Sequence, residues 1–348
     1  MTEFSIGTRQ VGSGHPALII AEVAQTHDGS VNLAHSFIDA AADAGADAIK
    51  FQTHIAAAES STQEQWRVQF SKQDATRYEY WKRMEFSLAQ WRGLKEHAEQ
   101  KGLLFLSSPF SLAAIELLST IGIGAWKIAS GEVRNELLLE RILATKLPIM
   151  LSSGMSSWDE LDATVQRIKA AAAPLLLMQC TSAYPCPPER VGLNVLGQMR
   201  RRFDCPVGLS DHSGTIWPSL ASIALGGSVT EVHVTWDRSM FGPDAAASVT
   251  FAELKDLVRG IRFTERMLRH PVDKEAEAAE LQKMRHLFGQ SLVAATDLAP
   301  GTIVTIEHLT SRKPMVGVPA SELARVLGRK VTRAISSGEF LHLTDFTQ

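Results

Sequence analysis

The chain has 348 residues, 45% hydrophobic and 21% charged, an ordinary globular composition with room for one large domain and a small one. A net charge of −3 excludes a nucleic-acid binder relying on global positive charge, but permits a locally cationic pocket. No apolar run approaches the roughly 18–20 residues that span a bilayer, and neither a signal-peptide pattern at Met1-Thr2-Glu3-Phe4-Ser5 nor a CxxC pair among Cys180, Cys186 and Cys205 is present, so a reduced, cytoplasmic protein is expected.

Short, β-branched apolar runs alternate with helix-period segments from about residue 17 to 268. The predicted strands are 17–24, 48–53, 103–108, 125–130, 148–153, 174–181, 205–210 and 230–236. A helix over 33–44 stops at Gly45, and one over 157–171 opens with Ser157-Trp158-Asp159-Glu160, a serine followed by acids. A helix over 251–268 closes the series. Eight β/α units in about 250 residues fit a (β/α)8 TIM barrel. The competing doubly wound sheet needs a glycine-rich dinucleotide loop after its first strand, and Gln25-Thr26-His27-Asp28-Gly29 is not one. The barrel is therefore expected over 1–268.

The connection from His54 to Ser87 is long and aromatic, with Trp66, Phe70, Tyr78, Tyr80, Trp81 and Phe86, and reads either as a lid or partner surface or as a small packed side layer. Residues 269–290 are charged and read as a linker helix. Residues 291–348 change character. Ser291-Leu292-Val293-Ala294-Ala295 is a strand, followed by a Pro300-Gly301 turn, and Val331–Glu339 repeats strand then turn, so this tail is expected to be a small, mostly β domain.

Alternation assigns faces within each strand. Glu22 shares a face with Ile20 and Ala24, Lys50 with Gln52, and Gly208 with Ser210 and His212. Glu231, His233 and Thr235 share another, and Gln179 with Thr181 is taken as the polar face of the sixth strand. These charges lie near the C-terminal ends of their strands, where barrel enzymes place their sites. Two imidazoles on adjacent strands can hold one divalent ion with open positions, or can be two hydrogen-bonded core histidines; spacing leaves both open. Serines close the strands in turn: Ser107-Ser108, Ser130, Ser152-Ser153, Thr181-Ser182 and Ser210. With Lys50 and Lys127 they form an expected anion pocket, the alternative being ordinary turn chemistry.

The order of these segments resembles the sialic acid synthase family. The matching stretches are Ile20-Ala21-Glu22-Val23, Ala48-Ile49-Lys50-Phe51-Gln52-Thr53-His54, Phe105-Leu106-Ser107-Ser108-Pro109-Phe110 and Trp126-Lys127-Ile128-Ala129-Ser130-Gly131-Glu132. Leu151-Ser152-Ser153-Gly154-Met155, Cys180-Thr181-Ser182-Ala183-Tyr184-Pro185, Gly208-Leu209-Ser210-Asp211-His212, Glu231-Val232-His233-Val234-Thr235 and Gly242-Pro243-Asp244 complete them. The tail looks like the family's antifreeze-like (SAF) domain. The resemblance implies condensation of phosphoenolpyruvate with an N-acylated mannosamine-type sugar to a nonulosonic acid, with release of phosphate. It implies a divalent metal, Mn²⁺ first and Mg²⁺ or Co²⁺ as alternatives, on His212 and His233. It implies a homodimer in which each tail covers the partner's barrel mouth. Lys50, Ser108, Lys127, Ser130, Ser152 and Ser210 would hold phosphoenolpyruvate, while Glu22, Gln52, Tyr184 and Asp244 would line the sugar and reaction centre.

Three departures from the family pattern stand out: Thr26-His27 where asparagine-histidine is usual, Ser182 where asparagine is usual, and Arg312-Lys313-Pro314-Met315 where lysine-arginine-proline-glycine is usual. All three are expected around the acceptor sugar, with Arg312 or Lys313 reaching toward it. Two other readings remain: a Schiff-base aldolase using Lys50 or Lys127, and a non-catalytic sugar-phosphate-binding protein.

Overall fold

The computed structural model describes residues 3–66 and 68–347, which divide into two compact units, 1–269 and 270–348. The first unit opens with an antiparallel hairpin, β1 (Phe4–Ile6) and β2 (Arg9–Val11). Eight parallel strands follow: β3 (Leu18–Ala24), β4 (Ala48–Thr53), β5 (Leu104–Pro109), β6 (Trp126–Ile128), β7 (Ile149–Ser152), β8 (Leu175–Cys180), β9 (Val207–Asp211) and β10 (Val229–Thr235). Their order is β5-β4-β3-β10-β9-β8-β7-β6, with β5 and β6 in contact, so the sheet wraps into a nearly closed barrel. All eight expected strands are present. A two-residue strand, β11 (Val249–Thr250), pairs with β10.

The helices start where their side chains can satisfy free backbone amides. Ser30 accepts from Leu33 N at the start of Val31–Ala44, and Gly45 ends that helix. Ser157 and Glu160 form a reciprocal capping box on Trp158–Ala170, as Thr250 and Glu253 do on Phe251–Leu268. The helices' apolar stripes meet the outward strand faces in one continuous core, including Ile19, Ala21, Val23, Phe37, Trp91, Leu94, Trp126 and Leu257.

The inward faces are split by height. Leu18, Ile20, Ala48, Leu106, Ala125, Met150, Leu176, Met178 and Val229 fill the lower barrel, and Ile6 and Val11 of the hairpin pack onto them. This plug excludes water from below. Asp47 locks the hairpin by pairing with Arg9 and, at 2.6 Å, with Arg262 of the last helix. No sequence period marks the hairpin, whose strands are three residues each.

One face assignment is corrected. Met178 and Cys180 point into the barrel, while Gln179 points outward and donates to Val191 O at 3.1 Å. Thr181 also turns away, donating to Arg190 O at 2.6 Å. Backbone carbonyls in the following connection satisfy these polar groups, so polarity did not mark the inward face. The aromatic connection is a packed side layer: Tyr80, Trp81 and Met84 are buried against Ala56, with Trp66, Phe70 and Tyr78 around them.

The second unit begins with two short helices, Lys274–Glu280 and Gln282–Phe288. Strands β12 (Ser291–Ala294) and β13 (Leu309–Arg312) pair antiparallel. The expected strand at 331–335 is reduced to single bridges, Val331 with Phe346 and Ile335 with Leu298. Leu292, Val304, Val326, Ile335, Leu341 and Phe346 form this unit's own core. Among the described residues no helix is long and apolar enough to cross a membrane.

Gly208 shows how tightly β9 and β10 meet. A β-carbon there would lie 2.4 Å from Val229 O, so another residue must push the two strands apart. Gly208→Ala is expected to lose about 1–3 kcal/mol of unfolding free energy by denaturant titration. Gly93→Ala, in a helix interior with nothing within 4 Å of the added carbon, is expected to gain about 0.5–1 kcal/mol in the same titration.

Candidate active site

Above the apolar plug the barrel interior becomes charged. Glu22 on β3, Lys50 on β4, Lys127 on β6 and Glu231 on β10 all point inward, each at most 3% exposed. Lys50 Nζ lies 2.6 Å from Glu22 Oε2 and 3.8 Å from Glu231 Oε2. Lys127 Nζ lies 3.6 Å from Glu231 Oε1. Each buried charge therefore has an opposite neighbour, which is the condition for keeping it in a dry interior.

Hydroxyls from the neighbouring strands complete the cluster. Lys50 donates to Ser108 Oγ at 3.3 Å, Lys127 to Ser152 Oγ at 2.7 Å, and Ser210 Oγ to Glu231 Oε1 at 2.9 Å. Ser107 and Ser153 face away and bond to Phe51 O and Met178 O. A β-carbon on Gly154 would sit 2.8 Å from both Ser130 Oγ and Ser182 Oγ and 3.0 Å from Cys180 Sγ. Only glycine lets these groups converge. The structure thus brings Ser108, Ser130, Ser152, Ser182 and Ser210 to one rim around two lysines.

Burial and pairing oppose each other in the titrations. Burial disfavours the Lys50 ammonium, but Glu22 and Glu231 outweigh it and hold its pKa above the usual value. Burial also acts on Lys127 and wins over Glu231, lowering its pKa. Glu231 is buried too, yet the two lysines keep it below the usual carboxylate range. For Glu22, burial outweighs Lys50, and its pKa is pushed up to about 7.

The two histidines stand side by side, ring centroids 5.2 Å apart and planes inclined by 67°. His212 Nδ1 donates to Thr181 O at 2.9 Å, which leaves Nε2 with its lone pair, 3.2 Å from the Tyr184 hydroxyl. Tyr184 stacks on His212 at 4.1 Å. Among the described residues His233 Nδ1 is buried with no hydrogen-bond partner, and it lies 3.9 Å from Asp244 Oδ2. Burial lowers the pKa of both rings, to about 4 for His212 and well below its usual value for His233. Neutral rings with one bare nitrogen each are the form that ligates a metal. Among the described residues no three His, Cys, Asp or Glu side chains form a complete metal cage. The donors fit an ion held by two imidazoles that takes its remaining ligands from water or substrate oxygens.

Gln52 donates to Glu22 Oε1 at 3.0 Å. Behind it lie three residues given no role from the sequence: Gln25, His54 and Glu59. Only the position of His54 directly after a strand could have marked them.

Two of the three departures lie in the barrel unit. Thr26 Oγ1 donates to Val23 O and Val234 O, and His27 is buried against Phe86 and Phe51. Burial lowers the His27 pKa to about 3. This pair is a structural corner of the barrel. Ser182 stands beside Ser130 on the hydroxyl rim. Arg312 and Lys313 are exposed on the second unit, where Lys313 Nζ lies 5.2 Å from the Phe288 ring.

A parallel barrel whose C-terminal end holds paired buried charges, a serine rim and two metal-competent imidazoles defines a TIM-barrel enzyme. The model of the NeuB family matches residues 37–273, and that of the SAF domain matches 289–347. Human N-acetylneuraminate-9-phosphate synthase is 36% identical, over 93% of this chain and 90% of that one. N,N'-diacetyllegionaminic acid synthase of Campylobacter jejuni is 33% identical, over 93% and 98%. The crystal structure of N-acetylneuraminic acid synthetase from Leptospira borgpetersenii, in complex with citrate, matches with a TM-score of 0.72 and 31% identity, over 82% of this chain and 97% of that one. The chain belongs to the NeuB family and carries a SAF domain; it is a nonulosonic acid synthase.

Glu231 is the common counter-charge of both lysines. Glu231→Leu is expected to cost about 3–5 kcal/mol of unfolding free energy, and adding Lys127→Met should restore part of that loss in the same denaturant titration.

Proposed function

We propose that the enzyme condenses phosphoenolpyruvate with the open-chain form of an N-acylated mannosamine-type sugar. The observation that carries this reading is the closed cluster of Lys50, Lys127 and the serine rim directly beside the two bare imidazole nitrogens. One half suits a phosphate and a carboxylate; the other suits an aldehyde oxygen.

Lys50, Lys127, Ser108, Ser130, Ser152 and Ser210 bind and orient phosphoenolpyruvate, aided by the low dielectric of the closed barrel. Tyr184, Gln52, Asp244 and Ser182 line the acceptor's place, and in the proposed homodimer Arg312 or Lys313 of one copy's tail reaches the acceptor's place of the other. His212 and His233 hold a divalent ion, Mn²⁺ by preference with Mg²⁺ or Co²⁺ as substitutes, and such an ion supplies Lewis-acid polarisation of the aldehyde when bound. C3 of phosphoenolpyruvate bonds to the aldehyde carbon, whose oxygen takes up a proton. Water adds at C2, losing a proton, and the resulting tetrahedral carbon expels inorganic phosphate. Glu22 is the base that takes the proton from this water.

The protein is further proposed to be a cytoplasmic homodimer, phosphoenolpyruvate being a metabolite of the cell interior. The exposed Leu281, Met284, Leu287 and Phe288 of the second unit support a covered apolar face, and sedimentation at twice the chain mass would bear this out.

One observation favours a second reading. The lowered pKa of Lys127 suits a Schiff-base nucleophile. Borohydride separates the two: it traps pyruvate on Lys127 in an aldolase and nothing in the synthase.

With phosphoenolpyruvate, Mn²⁺ and a panel of N-acyl hexosamines, phosphate release is expected for at least one sugar and is expected to vanish with chelator. Silence across the panel with metal present would defeat the proposal. His212→Ala and His233→Ala should each weaken Mn²⁺ binding at least tenfold by calorimetry.

The base role of Glu22 fixes a pH dependence. Its carboxyl must be ionised to accept a proton, so kcat/KM should rise with pH through about 7 and then level. Glu22→Gln should lower kcat by roughly 10²–10⁴ and abolish that rise.

A further inference from the structure

Five side chains run in an unbroken line from Glu22 to the start of the aromatic side layer. Gln52 Nε2 lies 3.0 Å from Glu22 Oε1. Gln52 Oε1 lies 2.6 Å from Gln25 Nε2 and 3.2 Å from His54 Nε2. Gln25 Nε2 is also 2.8 Å from His54 Nε2, and His54 Nδ1 is 2.6 Å from Glu59 Oε1. The His54 ring is clamped between Trp81 at 4.0 Å and Phe110 at 4.5 Å, both nearly parallel to it. His54 and Gln25 are buried, and the Glu59 side chain is only 7% exposed.

The direction of every hydrogen bond in this line follows from its far end. A carboxylate can only accept, so Glu59 takes the Nδ1–H of His54. In the neutral ring Nε2 then accepts from one hydrogen of the Gln25 amide, and its 3.2 Å approach to Gln52 Oε1 is a contact between two acceptors, not a hydrogen bond. The other hydrogen of Gln25 goes to Gln52 Oε1. An amide whose oxygen is committed in this way must turn its NH2 group the opposite way, toward Glu22. Reversed, the line would set the Gln52 carbonyl oxygen against the Glu22 carboxylate.

We propose that His54, Gln25 and Glu59 are positioning residues of the active site. They form an amide relay that fixes the flip of Gln52 and thereby holds the Glu22 carboxylate in one rotamer. The stack on Trp81 and Phe110 fixes the imidazole plane, and Glu59 fixes its tautomer. None of the three needs to touch substrate. The proposal rests on the reading of Glu22 as the group that accepts the proton. It also gives the aromatic side layer a task beyond packing, since Trp81 and Glu59 come from the connection that follows β4.

The test is a pair of substitutions that break the line at different links. His54→Phe keeps the aromatic stack but removes both nitrogens. Gln25→Leu leaves the stack and the His54–Glu59 pair untouched. Each is expected to lower kcat roughly ten- to hundredfold, because a misoriented base loses proximity, while KM for phosphoenolpyruvate stays within about twofold. In a Gln52→Ala background both should cost nothing further, since the group they act through is gone. Full additivity in that background, or an unchanged kcat for Gln25→Leu, would overturn the relay.

A second measurement needs no turnover. ¹⁵N-edited NMR should find His54 protonated at Nδ1 and bare at Nε2, and Glu59→Leu should shift it toward a tautomer mixture. A wild-type His54 protonated at Nε2 overturns the assignment. If no acceptor releases phosphate, the reading of Glu22 falls while the NMR result still decides the relay's direction.

Discussion

Four ionisable groups inside a nearly closed barrel are the constraint around which the first unit is built. A single unpaired ammonium or carboxylate at that depth would cost several kcal/mol, and pairing at best repays the cost. Apolar side chains of the same volume would hold the barrel together at least as well. Glu22, Lys50, Lys127 and Glu231 are therefore poor candidates for structural glue. The fold carries them, and the rest of the first unit shows how. The lower barrel is filled with Leu18, Ile20, Met150 and Met178, and the β1–β2 hairpin seals it, so water cannot reach the cluster from below. Only the upper end is left for a ligand.

Within the cluster the four groups have different tasks, and their surroundings separate them. Glu231 lies between the two lysines and accepts from Ser210, so it stays charged and neutralises the site's own cations. Glu22 has one lysine and one amide, and burial wins over them. The first is a permanent counter-ion; the second is poised to exchange a proton near neutral pH. The lysines divide likewise. Lys50 sits between two carboxylates, whereas Lys127 faces one and leans on a serine. Two carboxylates and two ammonium groups thus yield four distinct electrostatic environments, which is how one pocket can bind an anion and still move protons.

Much of this was legible in the sequence because barrel strands obey two simple periodicities. Alternation placed Glu22, Lys50, Ser210 and His233 on the inward faces, and capping residues such as Ser157 marked helix starts. Alternation failed at β8, where the inward residues are Met178 and Cys180. Gln179 is satisfied by Val191 O and Ser153 on the outside, so a polar residue there carries no information about the cavity. The hairpin was invisible because three-residue strands have too few positions to show a period. The tail's expected second strand is reduced to single bridges at Val331 and Ile335, while the first forms as β12. His54 and Glu59 escaped notice because their meaning lies in a stack and a tautomer, neither of which has a sequence period.

The departures from the family pattern sit in different surroundings. His27 sits in an aromatic corner, its Nδ1 accepting from Gly29 N at 3.1 Å, and Thr26 ties two backbone carbonyls together. That pair answers to packing. Ser182 adds a hydroxyl where Ser130 already stands, beside a glycine that leaves no room for more. That change leaves a short hydroxyl on the pocket's rim. Arg312 and Lys313 are exposed on the second unit, with Lys313 over the Phe288 ring. A guanidinium and an ammonium differ in what they recognise: the first forks onto two oxygens, the second offers one point of charge. On the proposed reading, which of the two residues meets the acceptor decides whether that sugar is held by a planar fork or by one point of charge.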